Sequence, residues 1–172
     1  MLAVMRTWLV VSVFAGMLVS AVAGCGDEEA GCLPGEENCV IECGDGCEAP
    51  CADVSTCETE CGDGCDASCN SVSTCDISCG DDCNLDCTSL STCSTTCGAN
   101  CNYRCADVSD CTPAVGPDST VVCERVSKCD VVCEGPCTVR CTSVSECSVD
   151  CRDGDGPTEC ADGRLACGSC PG

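Results

Sequence analysis

The residues predict an all-β chain: a disulfide-stapled β-solenoid of about seven 18-residue coils with short capping segments. Three observations lead there. Cysteines recur in one phase, at Cys39, Cys57, Cys75, Cys93, Cys111, Cys129 and Cys147, each step 18 residues long. A period of that size marks stacked repeats that each contact only their neighbours. Within a full unit the spacing is C-x3-C-x3-C-x3-C-x5, and an aliphatic residue, threonine or Tyr103 stands midway between the two cysteines of each strand, as in Cys39-x-Ile41-x-Cys43. That alternation puts cysteine, aliphatic and cysteine on one face of a short strand. The third observation is the punctuation between strands: "GDG", "GDG", "GDD", "GAN" and "GPD" follow the second cysteine position of successive units, and these are strong breakers. A helix would also align cysteines four apart, but Gly, Ser, Thr, Asp and Asn fill the units and helix formers are scarce.

Residues 1–24 stand apart. Arg6 is their only charged side chain, and "WLVVSVFAGMLV" at 8–19 is an apolar run too short for a comfortable membrane span. Small residues follow, then Cys25, so this segment reads as a secretory signal rather than part of the fold. "VAGC" at 22–25 resembles the lipobox of bacterial lipoproteins. The resemblance implies a lipid on Cys25, which becomes the new N-terminus. Gly26 lacks the aspartate that favours inner-membrane retention in lipoproteins sorted on that position, which implies the outer membrane or cell surface of a bacterial envelope.

Residues 25–38 read as the lipidated N-terminus and an acidic tether, 39–151 as the solenoid, and 152–172 as a C-terminal cap. "ADGR" at 161–164 has the composition of a hairpin turn. Two five-residue strands with turns of three and five residues make one flat coil, and coils stack about 4.8 Å apart. The central columns are Ile41, Thr59, Ile77, Thr95, Pro113, Val131 and Val149 on one strand, and Ala49, Ala67, Leu85, Tyr103, Val121 and Val139 on the other. Val54, Val72, Leu90, Val108, Val126 and Val144 occupy the longer turn, each followed by a serine.

Export decides the state of the cysteines, since thiols pair outside the cytosol. Of 29 cysteines, lipidation of Cys25 leaves 28, enough for 14 disulfides. Cysteines four apart on one strand lie about 13 Å apart, too far to bridge. Pairing across the interior joins the first cysteine of a unit to the fourth and the second to the third. The expected pairs are Cys39–Cys51 and Cys43–Cys47, Cys57–Cys69 and Cys61–Cys65, Cys75–Cys87 and Cys79–Cys83, Cys93–Cys105 and Cys97–Cys101, Cys111–Cys123, then Cys129–Cys141 and Cys133–Cys137. Bridges between neighbouring coils within one column compete with this scheme. Cys32, Cys147, Cys151, Cys160, Cys167 and Cys170 are left for the ends. In the unit 111–123 the phase is unbroken, but Val115 and Ser119 hold the second and third cysteine positions. Both partners of one bridge are gone together, so the gap is a substituted disulfide and not an insertion.

Charge and composition narrow the functions. The net charge is -22, and residues 25–103 hold 17 acids and no base, a surface that repels nucleic acid and anionic head groups. With no histidine, a Ser-His-Asp triad, a Cys-His pair and HExxH zinc sites are excluded. No phosphate-binding GxxxxGK[ST] loop is present, and no GxGxxG follows a strand. The expectation is a protein without catalysis. The cysteine count is similar to that of metallothioneins, but their C-x-C and C-C spacings do not occur, and only "CGSC" at 167–170 has two-residue spacing.

Calcium is the more serious metal. Asp45, Asp63 and Asp81 hold the same turn position in successive coils, with Asp82 beside them, and carboxylates about 5 Å apart are a place for a hard cation. No other cofactor is expected. The plan also resembles the disulfide-braced β-solenoid antifreeze proteins of insects, which implies a fold; their Thr-x-Thr ranks are reduced here to Thr56, Thr74 and Thr92. The functional expectation is an exported, lipid-anchored envelope protein with a structural or adhesive role. Its partners are the membrane, through the lipid, and a surface protein or glycan.

Overall fold

The computed structural model describes residues 32, 35–152 and 154–170. Fifteen strands follow in chain order: β1 (Asn38–Glu42), β2 (Glu48–Ala52), β3 (Thr56–Glu60), β4 (Asp66–Asn70), β5 (Thr74–Cys79), β6 (Asn84–Thr88), β7 (Thr92–Cys97), β8 (Asn102–Ala106), β9 (Asp110–Val115), β10 (Ser119–Glu124), β11 (Lys128–Cys133), β12 (Cys137–Thr142), β13 (Glu146–Cys151), β14 (Thr158–Glu159) and β15 (Leu165–Cys167). Odd strands from β1 to β13 form a seven-stranded parallel sheet, and the even strands β2 to β12 form a second sheet that β15 and β14 complete. The register advances by 18 residues per coil, as in Cys39↔Cys57 and Cys51↔Cys69. The chain is thus a β-solenoid of six full turns and a further strand, and no helix occurs among the described residues.

Two sheets of short strands enclose a thin core to which both contribute side chains. Cys, Ile, Val, Leu and Ala alternate inward, giving the buried–exposed pattern eBeBe along β1 and β2. Tyr103 is the largest buried side chain, 1% exposed, and Thr59 and Thr95 are buried beside the aliphatics. The longer turn dips one more apolar residue into the interior: Val54, Val72, Leu90, Val108 and Val126 are all buried. The preceding residue takes a left-handed backbone every time, at Asp53, Ser71, Ser89, Asp107, Arg125 and Ser143, with φ between 53° and 60°. That reversal turns the valine column inward.

Thirteen bridges staple the described residues. The short turn is closed by the expected second-to-third pairs Cys43–Cys47, Cys79–Cys83, Cys97–Cys101 and Cys133–Cys137. Cys61 and Cys65 hold these positions in the second coil, their sulfurs 3.4 Å from those of Cys43 and Cys47. The expected bridge is not made at Cys65, whose buried thiol lies 3.2 Å from the Gly44 carbonyl.

The expected first-to-fourth pairs are corrected. Cys39–Cys51, Cys57–Cys69, Cys75–Cys87, Cys93–Cys105, Cys111–Cys123 and Cys129–Cys141 do not form. The fourth cysteine of each coil instead joins the first of the next: Cys51–Cys57, Cys69–Cys75, Cys87–Cys93, Cys105–Cys111, Cys123–Cys129 and Cys141–Cys147. A flat ring would close on itself, but a coil climbs one strand spacing per turn. The fourth cysteine therefore faces the residue that follows it across the long turn, at Cα–Cα distances of 6.4 to 6.7 Å. Each of these bridges ties one sheet to the other, and cohesion along the stack falls to the hydrogen-bond ladders and the packed columns.

The ends differ. Cys32, read as part of a tether, is tied to Cys39. At the C-terminus β14 and β15 form a hairpin through the turn read at 161–164, where Gly163 has φ of 78°. β15 pairs antiparallel with β12, and Cys151–Cys167 and Cys160–Cys170 lock it down. This cap closes the eight-stranded sheet only; β13 has no further neighbour among the described residues. Cys147 and Val149 are accordingly half-buried where their counterparts Cys129 and Val131 are buried.

Candidate functional site

The short turns hold the residues read as a cation ladder, and the backbone explains them. The third turn position is Gly46, Gly64, Asp82, Asn100 and Asp118, all with φ between 57° and 69°. Asp82 therefore stands where the chain needs a left-handed residue, a conformation that Gly, Asn and Asp tolerate best. The N–H at this position donates one coil upward, as Gly46 does to Asp63 O (2.7 Å) and Gly64 to Asp81 O (2.7 Å).

The N–H at the middle position has no such backbone partner, and the aspartate one coil below accepts it. Asp63 N–H donates to Asp45 Oδ1 (3.0 Å), Asp81 N–H to Asp63 Oδ1 (2.8 Å) and Ala99 N–H to Asp81 Oδ1 (2.7 Å). The ladder stops at Ala99, which has no carboxylate to accept with, and the residue above it is Pro117, which has no N–H to donate. The carboxylates fit under glycines. A Cβ on Gly62, Gly80 or Gly98 would collide with the aspartate of the coil below, whereas a Cβ on Gly44, at the foot of the stack, meets nothing within 4 Å. Asp45, Asp63 and Asp81 thus each spend one oxygen on backbone order, and Asp82 projects from a different turn position.

The serine column faces solvent. Ser55, Ser73, Ser91, Ser109, Ser127 and Ser145 are exposed. The backbone orders this turn: Ser73 N–H donates to Ser55 O (3.0 Å) and Ser91 N–H to Ser73 O (3.2 Å). That replaces the side-chain-to-backbone bond that serine in a turn commonly makes. Thr56, Thr74 and Thr92 align on the seven-stranded sheet as a single half-buried rank, flanked by Glu58 and Asp76. They form no Thr-x-Thr face.

The bases lie in the later coils, and most of them answer acids. Arg104 reaches Glu124 (3.0 Å) and Asp86 (3.5 Å), Arg125 grips Asp107 (2.7 Å), Arg152 meets Glu134 (3.6 Å), and Lys128 contacts Asp130. The Arg125 guanidinium holds the Asp107 carboxyl below its usual 3.8, and Lys128 with Ser148 does the same for Asp130. Burial pushes the Tyr103 phenol up; its hydroxyl has no well-formed hydrogen bond, and Thr95 is the polar group facing it.

A trough of about 490 Å³ lies on the outer face of the eight-stranded sheet, running across β2, β4, β6, β8 and β10. Along one side Asn84 Nδ2 donates to Asp66 Oδ1 (2.8 Å) and Asn102 Nδ2 to Asn84 Oδ1 (3.2 Å). Along the other lie Pro50, Ser68, Asp86, Arg104 and Val122. Sequence reading missed this face, although its two columns follow the 18-residue phase and could have been written out beside the cysteine columns.

The lipidation residue Cys25 and the segment 1–24 lie outside the described residues. No family model matches the chain, and comparison with curated proteins and with solved structures returns no significant match.

Proposed function

We propose that this is an exported, lipid-anchored envelope protein with a structural or surface-interaction role: a rigid acidic rod held to a membrane through Cys25. The observation that carries the reading is the set of in-register bridges between two short-stranded sheets. A stack this thin buries little apolar surface per coil, so cross-links must supply what a larger core would. Such cross-links persist in oxidising compartments. The lipobox-like "VAGC" supports the anchor, and the acid excess supports solubility beside a membrane. A bacterial outer membrane or cell surface is the address, and the rod's faces are what it offers to partners.

The test is the intact mass of the protein extracted from its own membrane, before and after alkylation. A lipid-sized mass on Cys25, with almost no thiols reacting, supports the reading. An unmodified Cys25 with most cysteines alkylated defeats it.

A further inference from the structure

We propose that the trough on the eight-stranded sheet is a docking surface for an extended cationic peptide segment, one rich in lysine or arginine. The inference deepens the surface-interaction reading by naming a face and a partner chemistry. The trough crosses five strands, and at one strand spacing per coil that is roughly 19 Å, enough for about six residues of extended chain. No second layer covers this face among the described residues.

Its polar groups ask for donors. Glu48, Asp66 and Asp86 line the trough against a single base, Arg104, and Arg104 is already held by Asp86 and Glu124. The amide chain points the same way. Asn84 donates an N–H to Asp66, and Asn102 donates one to the Asn84 amide oxygen, which leaves the second Asp66 oxygen and the Asn102 carbonyl as acceptors. A nucleic acid or anionic polymer meets repulsion here. The face also offers no exposed aromatic ring for a sugar to stack on, since Tyr103 is 1% exposed and turned into the core. A lysine or arginine side chain brings both the charge and the donors, with an aliphatic stem to lie against Pro50 and Val122.

The diffuse field of a chain with net charge -22 attracts any polycation, so the test separates the trough from the field. Hexalysine is titrated calorimetrically, at physiological salt, into the intact oxidised protein and three variants. Asp66→Asn with Asp86→Asn removes two trough charges and keeps hydrogen-bonding capacity. Glu58→Gln with Glu60→Gln removes two charges from the opposite sheet. Thr120→Arg puts a cation in the trough one coil above Asn102. The proposal expects at least ten-fold weaker binding in the first and third variants and less than a two-fold change in the second. Equal losses in the two charge-matched doubles, or no saturable binding by the wild type, overturn it. So does displacement of hexalysine by a neutral oligosaccharide, which assigns the face to glycans. Because the readout is independent of the lipid, a lipidated protein that fails to bind sinks this inference alone.

Discussion

The early coils, up to Tyr103, and the later coils, from Asp110, share one backbone and are held by different means. The early coils carry acids without a base. Their short turns are ordered by an aspartate beneath each N–H, and Ala49 and Ala67 leave their interior narrow. The later coils have Val121, Val131 and Val139 inside and ion pairs outside. In one of them, the coil 111–123, both short-turn cysteines are absent from the sequence. Val115 fills one sulfur position, fully buried, and the Ser119 hydroxyl fills the other, accepting from Cys101 N–H (3.0 Å). There the sulfur pair is replaced by a packed valine and a satisfied hydroxyl.

The largest expected effect lies at the junction of the two regions. Tyr103→Ala empties the widest part of the core and should cost about 3–5 kcal/mol, read by thermal unfolding under oxidising conditions. Tyr103→Phe should be close to neutral, because the hydroxyl it removes has no well-formed partner. Tyr103 is the only tyrosine, so its absorbance reports ionisation directly. Its folded pKa is raised above the ordinary 10.0. The contribution is therefore full below 10.0 and is lost as pH rises, since the unfolded chain ionises first. The phenol should stay protonated well past pH 10, and titration at 10 would contradict its burial.

Next come the glycines. A Cβ on Gly116 would approach Gly98 backbone at 2.6 Å, while one on Gly44 meets open space. Gly116→Ala should cost about 2–3 kcal/mol, as overpacking does, and Gly44→Ala should leave the melting point almost unchanged. Equal costs would show that the turns are not stacked as described. Restoring the missing bridge, Val115→Cys with Ser119→Cys, sharpens the comparison. A tight ring contributes about 2 kcal/mol at most, and here the displaced packing offsets part of it. A large gain would mean that Val115 and Ser119 are a weakness.

Smaller effects follow on the surface. Asp45→Ala removes the acceptor for Asp63 N–H and should cost about 1 kcal/mol, as loss of a helix cap does, with calcium and chelator both leaving the melting point unmoved. A rise with calcium would return these carboxylates to a cation site. Arg125→Ala should have the least effect, since both partners are exposed. Asp107 is depressed below 3.8 by Arg125, so the pair stabilises above that pH and its contribution is lost as pH falls through the folded value. The variant should be less acid-sensitive as pH falls below 3.8.

Much of the fold was legible because its signals are local. Alternation about Ile41 and Ala49 assigns strands, the "GDG" turns assign their ends, and an 18-residue phase assigns parallel register without knowledge of any contact. The bridges were half legible for the same reason. Cys43 and Cys47 flank one short turn, and proximity in sequence decided them. The partner of Cys51 depends on the rise of the coil, which no single unit encodes, and a flat drawing put Cys39 where Cys57 belongs. Asp45, Asp63 and Asp81 were visible as a column, but their role rests on N–H groups of the coil above. The one readable hint was Pro117: the ladder ends beneath the residue that cannot donate. The left-handed column at Asp53, Ser71 and Ser89 was missed because Arg125 shares it, a residue that gives no turn signal.

The central claim is that bridges climb from each coil to the next, and the coil that lacks a short-turn pair is the place to measure it. Unreduced protein is unfolded and cut after Arg104, Arg125 and Lys128, and the fragments are weighed with and without reduction. The account predicts that fragment 105–125 carries an internal Cys105–Cys111 loop and is joined through Cys123 to the fragment that begins at Cys129. A Cys111–Cys123 loop within that fragment, with Cys105 joined to an earlier one, would contradict it and make each coil a closed ring.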